Sequence, residues 1–304
     1  TGSGMSVEVT EQAQTGLEVK GIAFTPLPQP LFDNLPPVDR VMSLLAEKIG
    51  YQVNQLIEQT GMPESEFKRH FLCSTMIEMP FTTQSVNWQD IAEQLKTYGD
   101  HQPQTFVNAY ECASWGYSLR HYLKVESLKA EGLEQNQPRY MIVTILDANV
   151  YDFDFWVYNE NWEHSGFGIT TVILEVTAPL TDELTIGSAV THNSVAEFAT
   201  VVRRTMMKKP GATVALPFFQ VSVQQMFEKL LRGQPSLPDL HARYGHCFGS
   251  DPWLSLLNHG LSNKIEQPER FMACSVALNG YYAIAEVMMT PDTVLIMNKE
   301  WQRD

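Results

Sequence analysis

The stretch Tyr110-Glu111-Cys112-Ala113-Ser114-Trp115-Gly116-Tyr117 joins an apolar segment that we predict to be a strand, 105–110, to a predicted helix over 113–129. A cysteine at the start of a helix lies at the positive end of the helix dipole, which favours the thiolate and lowers the thiol pKa. A thiolate is the nucleophile that acyl-thioester chemistry requires. The neighbouring Glu111 acts in the opposite direction. Cys112 is therefore a candidate nucleophile, and the alternative is a thiol packed in the core.

A second motif lies further along the chain, in the loop Tyr244-Gly245-His246-Cys247-Phe248-Gly249-Ser250-Asp251-Pro252. Its two glycines permit a tight backbone path into a helix predicted over 252–261. His246 is a candidate general base, and Asp251 is a candidate for orienting it. The alternatives are a structural loop histidine and an aspartate that caps the helix.

Strands and helices alternate along the whole chain. The helical spacing of apolar residues over 38–60 predicts a long helix, and apolar runs predict strands at 139–147 and 168–176. Asn279-Gly280 between two apolar runs is typical of a tight hairpin turn. This alternation favours an α/β layered fold, in which one α/β unit can be used twice.

The composition excludes several classes of function. The chain has 304 residues, with 21 Lys+Arg against 35 Asp+Glu, and a net charge of −14. At roughly 150 residues per domain, this length fits two domains or one duplicated unit. The acidity argues against nucleic-acid binding, because phosphate contacts need clustered basic residues. No apolar run approaches the ~20 residues of a membrane span, so we expect no membrane partner.

The cysteines and the first residues of the chain also carry information. The four cysteines are dispersed and form no C-x-x-C pair, which suits the reduced thiols of a cytoplasmic protein better than a disulfide framework or a metal site. We therefore expect a cytoplasmic protein without a bound metal. Thr1-Gly2-Ser3-Gly4 before Met5 is typical of an expression tag, and we predict that 1–16 are a tag and a disordered N-terminus.

The order and spacing of these segments resemble β-ketoacyl-acyl-carrier-protein synthase III and its relatives in the thiolase superfamily. The nucleophilic cysteine of that family lies in an A-C-S-G-F-x-Y-A-L stretch, where this chain reads Cys112-Ala113-Ser114-Trp115-Gly116-Tyr117-Ser118-Leu119. The family's G-D-G-A-G-A-A-V-L stretch matches 166–174, and its G-N-T-S-x-A-S loop matches 245–251. The resemblance runs from about residue 17 to 289, and the chain is interpreted as a divergent member.

The resemblance implies a five-layered αβαβα fold made of two similar halves, 17–180 with the cysteine and 181–304. It also implies a homodimer, or a heterodimer with a ketosynthase-like chain. The family moves an acyl group from coenzyme A or an acyl carrier protein onto its cysteine and then to an acceptor. The expected partners are therefore an acyl carrier protein or acyl-coenzyme A, whose thioester is a substrate rather than a permanently bound cofactor.

The departures from the family pattern change the expected reaction. Where the family has a histidine in V-P-H-Q-A, this chain reads Leu216-Pro217-Phe218-Phe219-Gln220, and His246 replaces the family asparagine. Loops of the type G-H-x-x-x-A-D occur in relatives that transfer acyl groups to oxygen or nitrogen, and the loop at 245–251 is closer to these. The early segment that clasps coenzyme A in the family is missing. A basic run fits an acidic carrier protein or a pantetheine phosphate, with a solvated helix face as the alternative; it comprises Arg203, Arg204, Lys208 and Lys209.

Three hypotheses remain at this point. The first is an acyltransferase of specialised metabolism, in which Cys112 takes the acyl group and His246, oriented by Asp251, deprotonates an amine or alcohol acceptor. The second is a catalytically silent ketosynthase-like subunit that supports an active partner, which the lost histidine favours. The third is a decarboxylating condensing enzyme.

Overall fold

The computed structural model describes residues 16–63, 68–77, 93–96, 101–130, 139–176 and 183–303. The strands are β1 (Leu17–Leu27), β2 (Arg69–Cys73), β3 (Thr105–Val107), β4 (Arg139–Asp147), β5 (Tyr158–Asn159), β6 (Glu163–His164), β7 (Phe167–Val176), β8 (Leu184–Ser188), β9 (Thr213–Ala215), β10 (Glu269–Val276), β11 (Tyr281–Met289) and β12 (Val294–Met297). The helices are α1 (Val38–Thr60), α2 (Ser114–Ala130), α3 (Asp154–Val157), α4 (Ser194–Lys208), α5 (Val221–Leu231), α6 (His241–Tyr244) and α7 (Asp251–Ser262). Within these ranges, none of the helices has the length and apolar character of a membrane span.

The same strand arrangement occurs twice along the chain. In the first half, β2, β4, β7 and β1 are neighbours in that order; the first pair is parallel and the next two are antiparallel. In the second half, β9, β10, β11 and β8 repeat this order and these directions. The chain therefore uses one unit of strands twice. The predicted boundary between halves at 180 and 181 lies outside the described residues, as do residues 1–15 of the predicted N-terminal segment.

The two halves differ at their edges. β3 extends the first half by pairing in parallel with β2, whereas its counterpart in the second half is a single parallel bridge between Val214 and Ser236. β12 returns to the first half and pairs with β1. One residue pair, Glu18 with Met288, links β1 to β11 and connects the strands of both halves into one hydrogen-bonded path.

The helices divide the molecule into five layers. α1 contacts the outer face of the first half through β1, β7 and β12. α2 lies between the halves, against β2 and β4 on one side and β8 and β11 on the other. α7 also lies between the halves, with β1 and β12 on one side and β9 and β10 on the other. α4 packs on β10 and on α5 at the opposite surface. This arrangement confirms the predicted αβαβα architecture.

Three apolar clusters fill the spaces between these layers. In the central cluster, Trp115 of α2 meets Trp253 of α7 edge to face, with ring centroids 5.1 Å apart. The indole N–H of Trp115 donates to the Ser275 hydroxyl at 2.9 Å, so the polar group of this buried ring has a hydrogen-bond partner. A Cβ on Gly116 would lie 2.2 Å from the Cβ of Ala283, so α2 approaches β11 only because this position is glycine. The central helices are thereby held in fixed positions between the two halves.

A short 3₁₀ turn precedes each central helix: Glu111–Ala113 leads into α2 and Phe248–Ser250 leads into α7. The first residue of each turn has a positive φ, 47° at Glu111 and 56° at Phe248, which non-glycine residues seldom adopt. The two turns pack closely against each other. At Gly249 the approach is so close that a Cβ would lie 3.1 Å from the Cys112 carbonyl oxygen. The fold thus brings the two sequence motifs to one place at its centre.

Candidate active site

Cys112 lies in the 3₁₀ turn, two residues before the start of α2, with its side chain buried. Its Sγ atom is 3.7 Å from the Thr75 hydroxyl. Burial raises the pKa of this thiol well above its ordinary value, and the Asp147 carboxylate raises it further. The prediction that the helix start lowers this pKa is therefore wrong, because lost hydration and nearby carboxylates outweigh the helix dipole. A thiol in this state needs a base to activate it.

His246 has the bonding of an oriented base. Its Nδ1 is 2.8 Å from Asp251 Oδ2 and 3.3 Å from the Phe218 carbonyl oxygen. A proton on Nδ1 leaves a lone pair on Nε2, for which the described residues provide no hydrogen-bond partner. Burial lowers the pKa of His246, but the Asp251 carboxylate and the Phe218 carbonyl together raise it above its ordinary value.

Asp251 is fully buried behind His246. Its Oδ1 accepts the Cys247 N–H at 2.6 Å, and its Oδ2 accepts the Phe218 N–H at 2.9 Å besides contacting the histidine. Both N–H donors lie outside α7, so the side chain does not act as a helix cap. Asp251 instead ties the loop 245–251 to the segment that follows β9 and fixes the ring of His246.

A cavity of about 320 Å³ contains the reactive groups. Cys112 and His246 both line it, together with Thr75 and Glu111. Four aromatic side chains also line the cavity: Trp156, Trp162, Phe219 and Phe248. The remaining lining residues include 192–195, where α4 begins. Of the three predicted site residues, the structure therefore brings Cys112 and His246 to one cavity and places Asp251 behind it.

Comparison with solved structures identifies the fold. ChlB3, an acyltransferase, has a TM-score of 0.64 at 13% sequence identity, covering 91% of this chain and 99% of its own. 3-Oxoacyl-(acyl carrier protein) synthase III (FabH) from Pseudomonas aeruginosa PAO1 has a TM-score of 0.59 at 12% identity, with the same coverage of the two chains. The chain has the ketosynthase III fold. AbyA1, a tetronic acid condensing enzyme, is also similar, with a TM-score of 0.56 at 12% identity and coverage of 89% and 99%.

Comparison at the level of sequence gives a different result. No protein-family model matches the chain, and no curated protein matches it. The likeness to the solved structures is therefore a likeness of fold. The resemblance inferred from the order of the motifs is thus confirmed for the fold.

Phe218 and Phe219 occupy the position at which the resemblance to the family predicts a histidine. Phe218 is fully buried and stacks on Tyr244, and its backbone, not its ring, bonds Asp251 and His246. Phe219 lines the cavity. A phenylalanine side chain has no hydrogen-bond donor or acceptor, so neither of these two residues can donate or accept a proton through its side chain.

The basic run on α4 is remote from the cavity. Ser194 and Val195, at the start of α4, line the cavity, whereas Arg203 and Lys208 lie about 14 to 21 Å further along the helix axis. Lys209 lies 3.8 Å from Glu286 in an ion pair. A carrier protein that touches these residues would therefore dock on the outer helix layer, away from the start of α4.

Two residues that the sequence analysis missed, Asp147 and Thr75, lie beside the candidate nucleophile Cys112. Asp147 ends β4, and its Oδ1 accepts the Thr75 N–H at 2.8 Å and the Ser74 hydroxyl at 3.3 Å. Its buried Oδ2 has no hydrogen-bond partner among the described residues. Burial raises the pKa of Asp147 to about 7, against the lowering effect of these hydrogen bonds. Asp147 holds Thr75, and Thr75 contacts Cys112.

We expect Asp147 to make the protein less stable as the pH rises. Its pKa increases from 3.8 to about 7 on folding, so between these values the unfolded chain has lost a proton that the folded protein keeps. From pH 5 to pH 8 this lowers the free energy of unfolding by roughly 2–3 kcal/mol. Asp147→Asn should remove this part of the pH dependence, which urea unfolding at both pH values measures. An exposed control, Asp154→Asn, should behave like wild type, and an unchanged slope in Asp147→Asn would contradict the assignment.

Proposed function

We propose that this protein is an acyltransferase that takes an acyl group from a coenzyme A or carrier-protein thioester onto Cys112 and passes it to an amine or alcohol. The observation that carries the proposal is that Cys112 and His246 line one cavity while Asp251 fixes the histidine. Solved structures of this fold include an acyltransferase and condensing enzymes, which supports acyl transfer as the class of reaction.

In the first half-reaction, Cys112 is acylated. Nε2 of His246 takes the thiol proton as Sγ attacks the thioester carbonyl carbon, because burial raises the pKa of this thiol well above its ordinary value. The carbon–sulfur bond of the donor then breaks, and the departing thiolate receives the proton from the imidazolium. The Asp251 carboxylate stabilises this imidazolium at 2.8 Å.

In the second half-reaction, the acceptor replaces Cys112. Its nitrogen or oxygen attacks the acyl carbon, and its proton passes to Nε2 of His246. The bond between the acyl carbon and Sγ breaks, and the sulfur takes the proton back to regenerate the thiol. The products are an amide or an ester and the free enzyme.

The silent subunit is a second candidate, and the raised pKa of Cys112 favours it. A thiol that stays protonated is inert unless the histidine removes its proton. In this hypothesis the cavity is a remnant, and the chain stabilises a partner that retains both cysteine and histidine. The loss of the family histidine at Phe218 is consistent with the same role.

A product assay separates the two candidates. The purified chain is mixed with acyl-coenzyme A or acyl-carrier-protein donors and with amine or alcohol acceptors, and products are measured by mass spectrometry. An acyltransferase releases free thiol and amide or ester in equal amounts. Product formation no faster than in buffer would overturn the proposal, and activation of a separate ketosynthase by the chain would favour the silent subunit.

We expect little or no release of carbon dioxide from malonyl thioesters. Decarboxylation forms an enolate that needs a hydrogen-bond donor, and neither Phe218 nor Phe219 supplies one in its side chain. Release of labelled carbon dioxide from malonyl-coenzyme A measures this directly. Rapid release by the purified chain would restore the condensing-enzyme hypothesis.

We also propose a dimer that pairs through the segment 105–110. β3 lies at the edge of the sheet, and an edge strand favours pairing with a second chain. The interface should exceed the ~1,600 Å² of a standard complex. Thr105→Arg, a change at an exposed position, should weaken the dimer. Light scattering at micromolar concentration measures this, and a monomeric wild-type chain would contradict it.

A further inference from the structure

A second cavity adjoins the one that contains Cys112. Its volume is about 370 Å³, and it lies between α5 and the segment 233–239. Among the described lining residues, Phe219 is the one that both cavities share. Phe219 is buried, with its ring stacked on Phe227 at a centroid distance of 5.0 Å. Phe219 thus forms part of the wall of both cavities.

The backbone of Phe219 is held from the side of the second cavity. Its N–H donates to Asp239 Oδ2 at 2.9 Å, and its carbonyl oxygen accepts from the Gln224 amide. Asp239 and Gln224 both line the second cavity. A molecule in that cavity would therefore contact Asp239 and Gln224, the two residues that hold the backbone of Phe219.

The two cavities differ in charge. Two carboxylates, Glu228 and Asp239, line the second cavity, and no lysine, arginine or histidine is among its described lining residues. Its floor is apolar, with Phe227 and Leu231. Glu228 is exposed and forms no ion pair with a described residue. The Cys112 cavity has one carboxylate, Glu111, together with two histidines, His192 and His246, and the start of α4. A thioester donor with anionic phosphates suits the Cys112 cavity, and a cation on an apolar body suits the second one.

We infer that the second cavity binds the acceptor, and that this acceptor carries an ammonium group on an apolar chain in addition to its nucleophile. The inference rests on the proposed function. Glu228 and Asp239 hold the ammonium, the apolar floor holds the chain, and the free amine or hydroxyl at the other end reaches the acylated Cys112 past Phe219. That end forms its bond to the acyl carbon as the carbon–sulfur bond breaks, and its proton returns to the sulfur through His246.

The preference for a diamine tests this site. Cys112 is first acylated, excess donor is removed, and decay of the acyl-enzyme is followed with 1,6-diaminohexane or with hexylamine, which lacks the second ammonium. Wild type should prefer the diamine, and Glu228→Gln should lower the diamine-to-hexylamine ratio of kcat/KM about fivefold, as expected for a partly exposed ion pair. Glu266→Gln, an exposed carboxylate that lines neither cavity, should keep the wild-type ratio.

A binding measurement separates failure of this site from failure of the proposed function. Binding of 1,6-diaminohexane is measured by ligand-observed NMR in two variants. The first is Cys112→Ala, which cannot be acylated at this position, and the second carries both Cys112→Ala and Glu228→Gln. Binding that weakens with Glu228→Gln supports the site even if no acyl-enzyme ever forms. An unchanged diamine preference in Glu228→Gln, an equal change in Glu266→Gln, or no binding to Cys112→Ala would overturn the inference.

Discussion

Replacing Cys112 by alanine should abolish acyl transfer, with turnover falling at least about a thousandfold. In the proposed reaction, the thiol supplies the sulfur that carries the acyl group between the two half-reactions. Release of free thiol from an acyl-coenzyme A donor in the presence of an amine measures the loss. The substitution removes one buried atom beside Thr75, so the fold and the oligomeric state should be retained.

Cys274 provides the matched control for this prediction. It is a buried free thiol in β10 that lines neither cavity, and burial raises its pKa, as burial does for Cys112. Cys274→Ala should transfer acyl groups at the wild-type rate. If Cys112→Ala retains turnover within tenfold of wild type, Cys112 is not the nucleophile. If the chain is a silent subunit, the complex between Cys112→Ala and an active ketosynthase-like partner should keep the activity of that partner.

His246→Ala should slow product formation by about 10²- to 10⁴-fold. The loss arises because the pKa of the buried Cys112 thiol is well above its ordinary value and because the acceptor also needs a base. His259, which pairs with Glu269 outside both cavities, is the control, and His259→Ala should leave the rate unchanged. Single-turnover rates with a fixed donor and amine provide the measurement. A wild-type rate in His246→Ala would exclude the histidine as the base.

The pH dependence of the rate separates the roles of His246 and Asp251. A general base must be unprotonated, so the rate should rise with pH through the pKa of His246. Asp251 raises that pKa, so Asp251→Asn should shift the rising limb of the curve to lower pH and lower its maximum. A variant that only damaged the fold would lower the maximum without moving the limb.

Local sequence patterns predict much of this fold. The helical spacing over 38–60 and the apolar run over 139–147 give α1 and β4 with their observed ends. The predicted strand 105–110 ends earlier, at Val107, because the chain turns at Asn108, whose carbonyl accepts the Glu111 N–H. Cys112 therefore follows a turn and does not continue directly from the strand. Patterns of period two and 3.6 do not register such a turn.

The supporting groups of the site depend on contacts between distant parts of the chain. Thr75 and Asp147 meet because β2 and β4 are parallel neighbours whose carboxyl ends lie at the same edge of the sheet. An aspartate at the end of an apolar strand was the available signal, and the strand order needed to interpret it is not visible in the sequence. The raised pKa of Cys112 follows from burial by surrounding layers, which local patterns do not report.

Acyl transfer through Cys112 is tested by the intact mass of the wild-type chain after mixing with acyl-coenzyme A and acyl-carrier-protein thioesters. We expect that one acyl group adds per chain, that peptide mapping places it on Cys112, and that an amine acceptor then removes it with formation of the amide. No mass increase with any donor, or an acyl group that appears equally on Cys112→Ala, would contradict transfer through Cys112.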